Sequence, residues 1–237
     1  LLKNNLKPLI IGGEHSITSG IIKSIITNYP DLIMLHLDAH ADLRSELDGE
    51  AFSHACAAGR SLDMGVGKLM QAGIRAYSKE EAEWIESDKR ITTYFARETQ
   101  NSQTGTEAWK QWLAEINAVK GPVHLTIDID GLDGSLVPAT GTPVPGGLSF
   151  WQVIETIQAV FGAPDATVIS ADVNEIASHE HSPLTEFTAA MLATKTIASH
   201  LKARKEGRWS PTAEPLGTKR VSIPCTYFTQ HGNQSAQ

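Results

Sequence analysis

The chain has 237 residues, 41% of them hydrophobic and 20% charged, a balance that excludes disordered and fibrous classes. Twenty basic against 27 acidic residues give a net charge of −7, and no Lys/Arg run forms a nucleic-acid footprint. Apolar stretches fall far short of the roughly 20 residues that span a bilayer, and no signal-peptide layout is visible. Cys56 and Cys225 alone make neither a disulfide framework nor a four-cysteine zinc site. The expectation is a cytoplasmic protein whose partners are neither nucleic acid nor membrane.

In chain order, a strand is predicted over 8–11, almost at the start. The sequence opens Leu1-Leu2-Lys3, and further residues are expected to precede it. A helix follows over 16–27, then a strand over 32–37, a helix over 62–70 and a strand over 73–77. Ser78-Lys79-Glu80-Glu81 has capping-box spacing and opens a helix over 79–86. Next come a strand over 90–95, a helix over 106–119, strands over 123–129 and 167–173 separated by a helix over 150–160, and a helix over 183–204. The apolar runs lack clear alternation, which suits strands covered on both faces. This order predicts an α/β fold with a mostly parallel sheet and helices on both faces. Residues 1–207 form the expected catalytic domain. From 208 to 237 periodicity is lost, which predicts an irregular tail, with a short edge pairing of 221–223 and 226–228 as the alternative.

Three strands end in metal-capable side chains: Gly13-Glu14-His15-Ser16, Asp38-Ala39-His40-Ala41-Asp42 and Asp128-Ile129-Asp130-Gly131-Leu132-Asp133. Parallel α/β sheets bind ligands beyond the carboxyl ends of their strands, so the three clusters should converge. Alternate spacing puts Asp38, His40 and Asp42 on one side of an extended chain, and likewise Asp128 and Asp130. A lone Asp-x-Asp is more often a turn or capping feature; three such clusters at strand ends favour metal. Carboxylate and imidazole ligands without cysteine suit a divalent ion such as manganese better than structural zinc. Six candidate ligands exceed the need of one open catalytic ion but fit two ions about 3.5–4 Å apart.

These three segments resemble the signature motifs of the ureohydrolases, the family of arginase, agmatinase and relatives. Pro138-Ala139-Thr140-Gly141-Thr142-Pro143 and Asp172-Val173-Asn174-Glu175 resemble further family segments, and the match runs from about 9 to 200. The resemblance implies an arginase-like three-layer α/β/α fold and two manganese ions, with another divalent ion such as nickel as the alternative. It places His15, Asp38, Asp42 and Asp128 around one ion and Asp38, His40, Asp128 and Asp130 around the other. Glu175 would hold the substrate guanidinium, and His54 would move a proton to the leaving amine. Thr142 and Asp172 would support these residues. His36 and His124, inside strands, are read as satisfied packing residues, and His179, Glu180 and His181 as a polar loop. A homo-oligomer, trimer or hexamer, is implied by the same resemblance.

The stretches 42–56 and 73–81 are most similar to one agmatinase branch, implying cleavage of agmatine to putrescine and urea, a step of polyamine synthesis. Arg44 stands where arginases resemble one another in an Asn. Facing the pocket, Arg44 would favour a carboxylate substrate such as guanidinobutyrate; the alternative is a surface pair with Glu46 or Glu50, and acidic loop residues such as Glu46, Asp48 or Glu50 would attract the distal ammonium of agmatine. The other expectations are arginase, guanidine or formimino-compound hydrolysis, or a truncated, non-catalytic member.

Overall fold

The computed structural model describes residues 6–207. In chain order its elements are β1 (Leu9–Ile11), α1 (Ile17–Ile25), β2 (Ile33–Leu37), α2 (Ala57–Asp63), β3 (Lys68–Ile74), α3 (Lys79–Ser87) and β4 (Ile91–Phe95). Then follow α4 (Ala96–Thr99), α5 (Gly105–Asn117), β5 (Gly121–Asp128), α6 (Phe150–Gly162), β6 (Ala166–Asn174) and α7 (Leu184–Lys205). The strands make one parallel sheet in the order β1-β6-β5-β2-β3-β4.

Alternation along the strands divides the core into two layers. Leu35 and Leu37 of β2, with Leu125 and Ile127 of β5, pack with Trp112 and Ile116 of α5, Ile157 of α6 and Leu192 of α7. Met34, on the other face of β2, packs with Ile22 and Ile25 of α1 and Leu62 of α2. The three-layer α/β/α architecture read from the sequence is the one observed. Trp112 is fully buried and its indole N–H donates to Thr156 Oγ1 at 3.0 Å. Trp112→Ala is expected to lower stability by about 3–5 kcal/mol, read from urea unfolding; a cost below about 1 kcal/mol would show that this layer repacks freely.

Sheet order also positions the site. From β2 the chain moves outward through β3 and β4, then returns to lay β5 on the other side of β2 and β6 beyond it. The direction of winding therefore reverses between β2 and β5, which opens a crevice at their carboxyl ends. Asp38 directly follows β2, and Asp128 is the last residue of β5.

The structure corrects two predicted elements. No helix covers 62–70: α2 ends at Asp63, and Gly65 takes φ +107°, a left-handed turn that stops it. β3 then occupies Lys68–Ile74, ahead of the predicted 73–77, and is buried from Leu69 onward on both faces. The short α4 was not anticipated. The capping box at Ser78 and Glu81 is present, and a second joins Ser149 and Gln152 at the start of α6. The tail over 208–237 and its alternative edge pairing lie outside the described residues.

Candidate metal centre

The six predicted ligands are brought together by three short segments. His15 lies in the turn between β1 and α1. Asp38, His40 and Asp42 follow β2, and Asp42 adopts φ +53°, a left-handed conformation costing about 1–3 kcal/mol that the surrounding packing must sustain. Asp128 ends β5, and its carboxylate accepts the Asp130 backbone N–H at 2.9 Å to start a single 3-10 turn. Gly131 closes that turn against the end of β2: a Cβ there would stand 2.7 Å from Asp38 N and 2.9 Å from Asp38 Cα.

His15 Nδ1 lies 3.2 Å from Asp38 Oδ2, 3.2 Å from Asp42 Oδ2 and 3.1 Å from Asp128 Oδ2. It is nevertheless a buried polar atom without a hydrogen-bond partner. Three carboxylate oxygens around an unbonded ring nitrogen form the donor set of a divalent cation, so the residues present fit such an ion. On the other side, His40 Nδ1 lies 3.4 Å from Asp38 Oδ1 and 3.3 Å from Asp130 Oδ2. Asp38 thus joins both groups of candidate ligands.

Electrostatics point the same way. Burial and the charge of Asp38 push the Asp42 and Asp128 carboxyls up, Asp128 well above its ordinary range. Burial also opposes the charge of Asp38, but His36, His15 and His40 outweigh it and hold that carboxyl well down. At His40, burial is overcome by Asp130 and Asp38, which raise the imidazole to about 11. His15 is likewise raised well above its usual value: burial is outweighed by Asp128, Asp38 and Asp42. The His40 imidazole carries a proton at neutral pH, and a cation taking its ring nitrogen must expel it. Binding is therefore weakened below the folded pKa and strengthens as pH rises toward it. The expected result is an apparent affinity rising about tenfold per pH unit for each proton released, between about pH 6 and 9. Calorimetry in buffers of different ionisation heat counts those protons; a flat profile would contradict the arrangement.

Several neighbours were not legible as site residues. His36 is buried and satisfied, as expected, and its partners tie it to the cluster. Its Nε2 lies 2.7 Å from Asp38 Oδ2, and Gln71 Nε2 donates to its Nδ1 at 2.9 Å. The signal was its position two residues before Asp38, which puts both on one face of the chain. His124 sits 2.9 Å from Asp172 and 2.8 Å from Ser170. The Arg75 guanidinium donates to six backbone carbonyls, those of Gly73, Asp130, Gly131, Leu132, Val144 and Pro145, and so ties the segment after β5 to its following loop.

The two remaining predicted residues flank the cluster. Glu175 directly follows β6, in a left-handed conformation at φ +59°. Its Oε1 accepts the His15 backbone N–H at 2.7 Å, and burial pushes its carboxyl up. Thr142 donates to Asp130 Oδ2 at 3.2 Å. His54 begins a 3-10 turn and is held by Glu14 Oε1, which lies 2.8 Å from its backbone N and 3.1 Å from its Nδ1. His179, Glu180 and His181 are exposed, and Arg44 reaches Glu81 rather than Glu46 or Glu50, at 3.9 Å.

The model of the Arginase family matches residues 1–199. The chain is 37% identical over 190 residues to an N(1)-aminopropylagmatine ureohydrolase of Synechocystis sp., covering 79% of this chain and 58% of that relative. It is 35% identical over 185 residues to an agmatinase of Pyrococcus horikoshii, covering 78% of this chain and 60% of that one. The chain thus spans about three fifths of the length of these curated relatives. Among solved structures, the agmatine ureohydrolase of Thermoplasma volcanium superposes with a TM-score of 0.71 at 28% identity, over 84% of this chain and 64% of that one. No helix among the described residues is long and apolar enough to cross a membrane. With its parallel sheet, its buried His/Asp cluster and this match, the chain belongs to the arginase family.

Proposed function

We propose that residues 1–207 form the catalytic unit of a ureohydrolase that cleaves agmatine to putrescine and urea. The observation that carries the reading is the buried carboxylate cluster centred on Asp38, with unbonded His15 Nδ1 facing three of its oxygens. His15, Asp38, Asp42 and Asp128 would hold one cation and Asp38, His40, Asp128 and Asp130 the other, with manganese the preferred metal. When bound, such a pair of ions supplies hydroxide from water at neutral pH.

The chain's own residues bind, orient and move protons. Glu175, next to the cluster, pairs its two oxygens with two N–H groups of the planar guanidinium. Its elevated pKa, caused by burial, marks a carboxylate that gains from a cationic partner. As the C–N bond breaks, the departing nitrogen needs a proton. His54 delivers it from its ring, whose Nδ1 is occupied by Glu14. Arg44 pairs with Glu81, leaving Glu46, Asp48 and Glu50 as an acidic stretch for the substrate's distal ammonium. A longer polyamine is the second reading, favoured by the 37% identity to an aminopropylagmatine ureohydrolase. A homo-oligomer, trimer or hexamer, completes the proposal.

The test is urea release by the manganese-loaded protein from agmatine, N(1)-aminopropylagmatine, arginine, guanidinobutyrate and guanidine in parallel. Turnover of agmatine that disappears in Glu175→Gln is expected. Turnover of the aminopropyl compound alone would change the substrate, and no urea from any guanidino compound would contradict the reaction class.

A further inference from the structure

We infer that Asp172 and Thr126 are positioning residues that select the ring tautomer of His15 and thereby decide which of its nitrogens is offered to a cation. The inference rests on the proposed two-ion centre. Asp172 lies on β6, fully buried, with Thr126 opposite it on β5 and His36 opposite Thr126 on β2. Its Oδ2 accepts from Thr18 Oγ1 at 3.0 Å and meets His124 Nε2 at 2.9 Å. Its Oδ1 accepts from Thr126 Oγ1 at 2.5 Å and Asn174 Nδ2 at 2.7 Å.

An ionised carboxylate only accepts hydrogen bonds, so each of these partners must donate. Burial opposes the charge on Asp172, but His124, His15 and Thr126 outweigh it and hold the carboxyl low. The single hydroxyl hydrogen of Thr126 is therefore spent on Asp172, and only its lone pairs remain for His15 Nε2, 2.8 Å away. Nε2 must carry the hydrogen. In neutral His15, Nδ1 is then a bare lone pair, and it is this nitrogen that lies among Asp38, Asp42 and Asp128. Were the hydroxyl reversed, Nδ1 would carry the hydrogen and could not ligate.

The variants follow from direction rather than volume. Asp172→Asn keeps the shape but can donate through its amide, freeing the Thr126 hydroxyl to turn toward His15. Thr126→Val removes the acceptor, and Thr126→Ser keeps it. The experiment titrates chelator-treated full-length protein with Mn2+ and resolves the two affinities per chain. Thr126→Val and Asp172→Asn are expected to weaken one ion by about 10–100-fold, the loss typical of an outer hydrogen-bond partner, while the other ion changes little. Thr126→Ser is expected to restore wild-type binding. Equal weakening of both ions, no weakening, or failure of Thr126→Ser to restore binding would overturn the inference while wild type still binds two ions. A wild type that binds fewer than two ions would overturn the two-ion reading and this inference with it.

Discussion

Asp38→Asn is expected to abolish binding of both cations, not of one. Asp38 belongs to both groups of candidate ligands, with Oδ2 near His15 and Oδ1 near His40. Its loss removes a ligand from each ion, so affinity should fall by more than the about 10–100-fold that follows loss of an outer partner. His40→Asn, by contrast, should weaken one ion and leave the other measurable, because His40 meets only Asp38 and Asp130 among the candidate ligands. Titration with Mn2+ followed by electron paramagnetic resonance separates the cases. An Asp38→Asn protein that still binds one ion tightly would show that the two groups do not share this carboxylate.

Gly131→Ala is the second large effect, and it arises from backbone contact. The added Cβ would meet Asp38 N, Asp38 Cα and Leu37 C at 2.7, 2.9 and 3.1 Å, none of which is the end of a flexible side chain. The end of β2 and the turn after β5 must then separate, and these carry Asp38 and Asp130. A loss of about 1–3 kcal/mol in unfolding free energy is expected, typical of overpacking, together with weaker metal binding. Gly134→Ala is the control: three residues further on, a Cβ meets nothing within 4 Å. It should stay within about 0.5 kcal/mol of wild type, and equal effects at both positions would remove close approach as the cause.

Much of the site was legible because its chemistry is concentrated at strand ends. Asp38, His40, Asp42, Asp128 and Asp130 lie within two motifs, and β2 and β5, which precede them, pair in the sheet. His15 could be added because β1 also ends just before it. The hydrogen-bond network beneath these residues was less legible. His36, Thr126 and Asp172 share one row across three strands, a register that no single segment encodes. Arg75 was unreadable for a related reason: its six acceptors are carbonyls, identical in every residue type, and they come from segments far apart in the chain.

The misplaced second helix has a local cause. Leu62, Val66, Leu69 and Met70 recur at helical spacing, yet Gly65 turns the backbone left-handed between them. Lys68, Gln71 and Gly73 then dilute the strand signal of β3, and Gln71 is there to bond His36, Ala41 and Thr93 rather than to pack. The left-handed backbones at Asp42 and Glu175 left no trace in composition, since neither is glycine. Both stand at the candidate site, where such strain concentrates when the surrounding structure sustains it.

The two-ion centre is tested by one count. Chelator-treated, full-length protein reloaded with manganese and freed of excess metal should hold two ions per chain. Its electron paramagnetic resonance spectrum should be that of a spin-coupled pair, as for ions about 3.5–4 Å apart. One magnetically isolated ion per chain, or none, would contradict the centre built on Asp38 and with it the proposed hydrolysis.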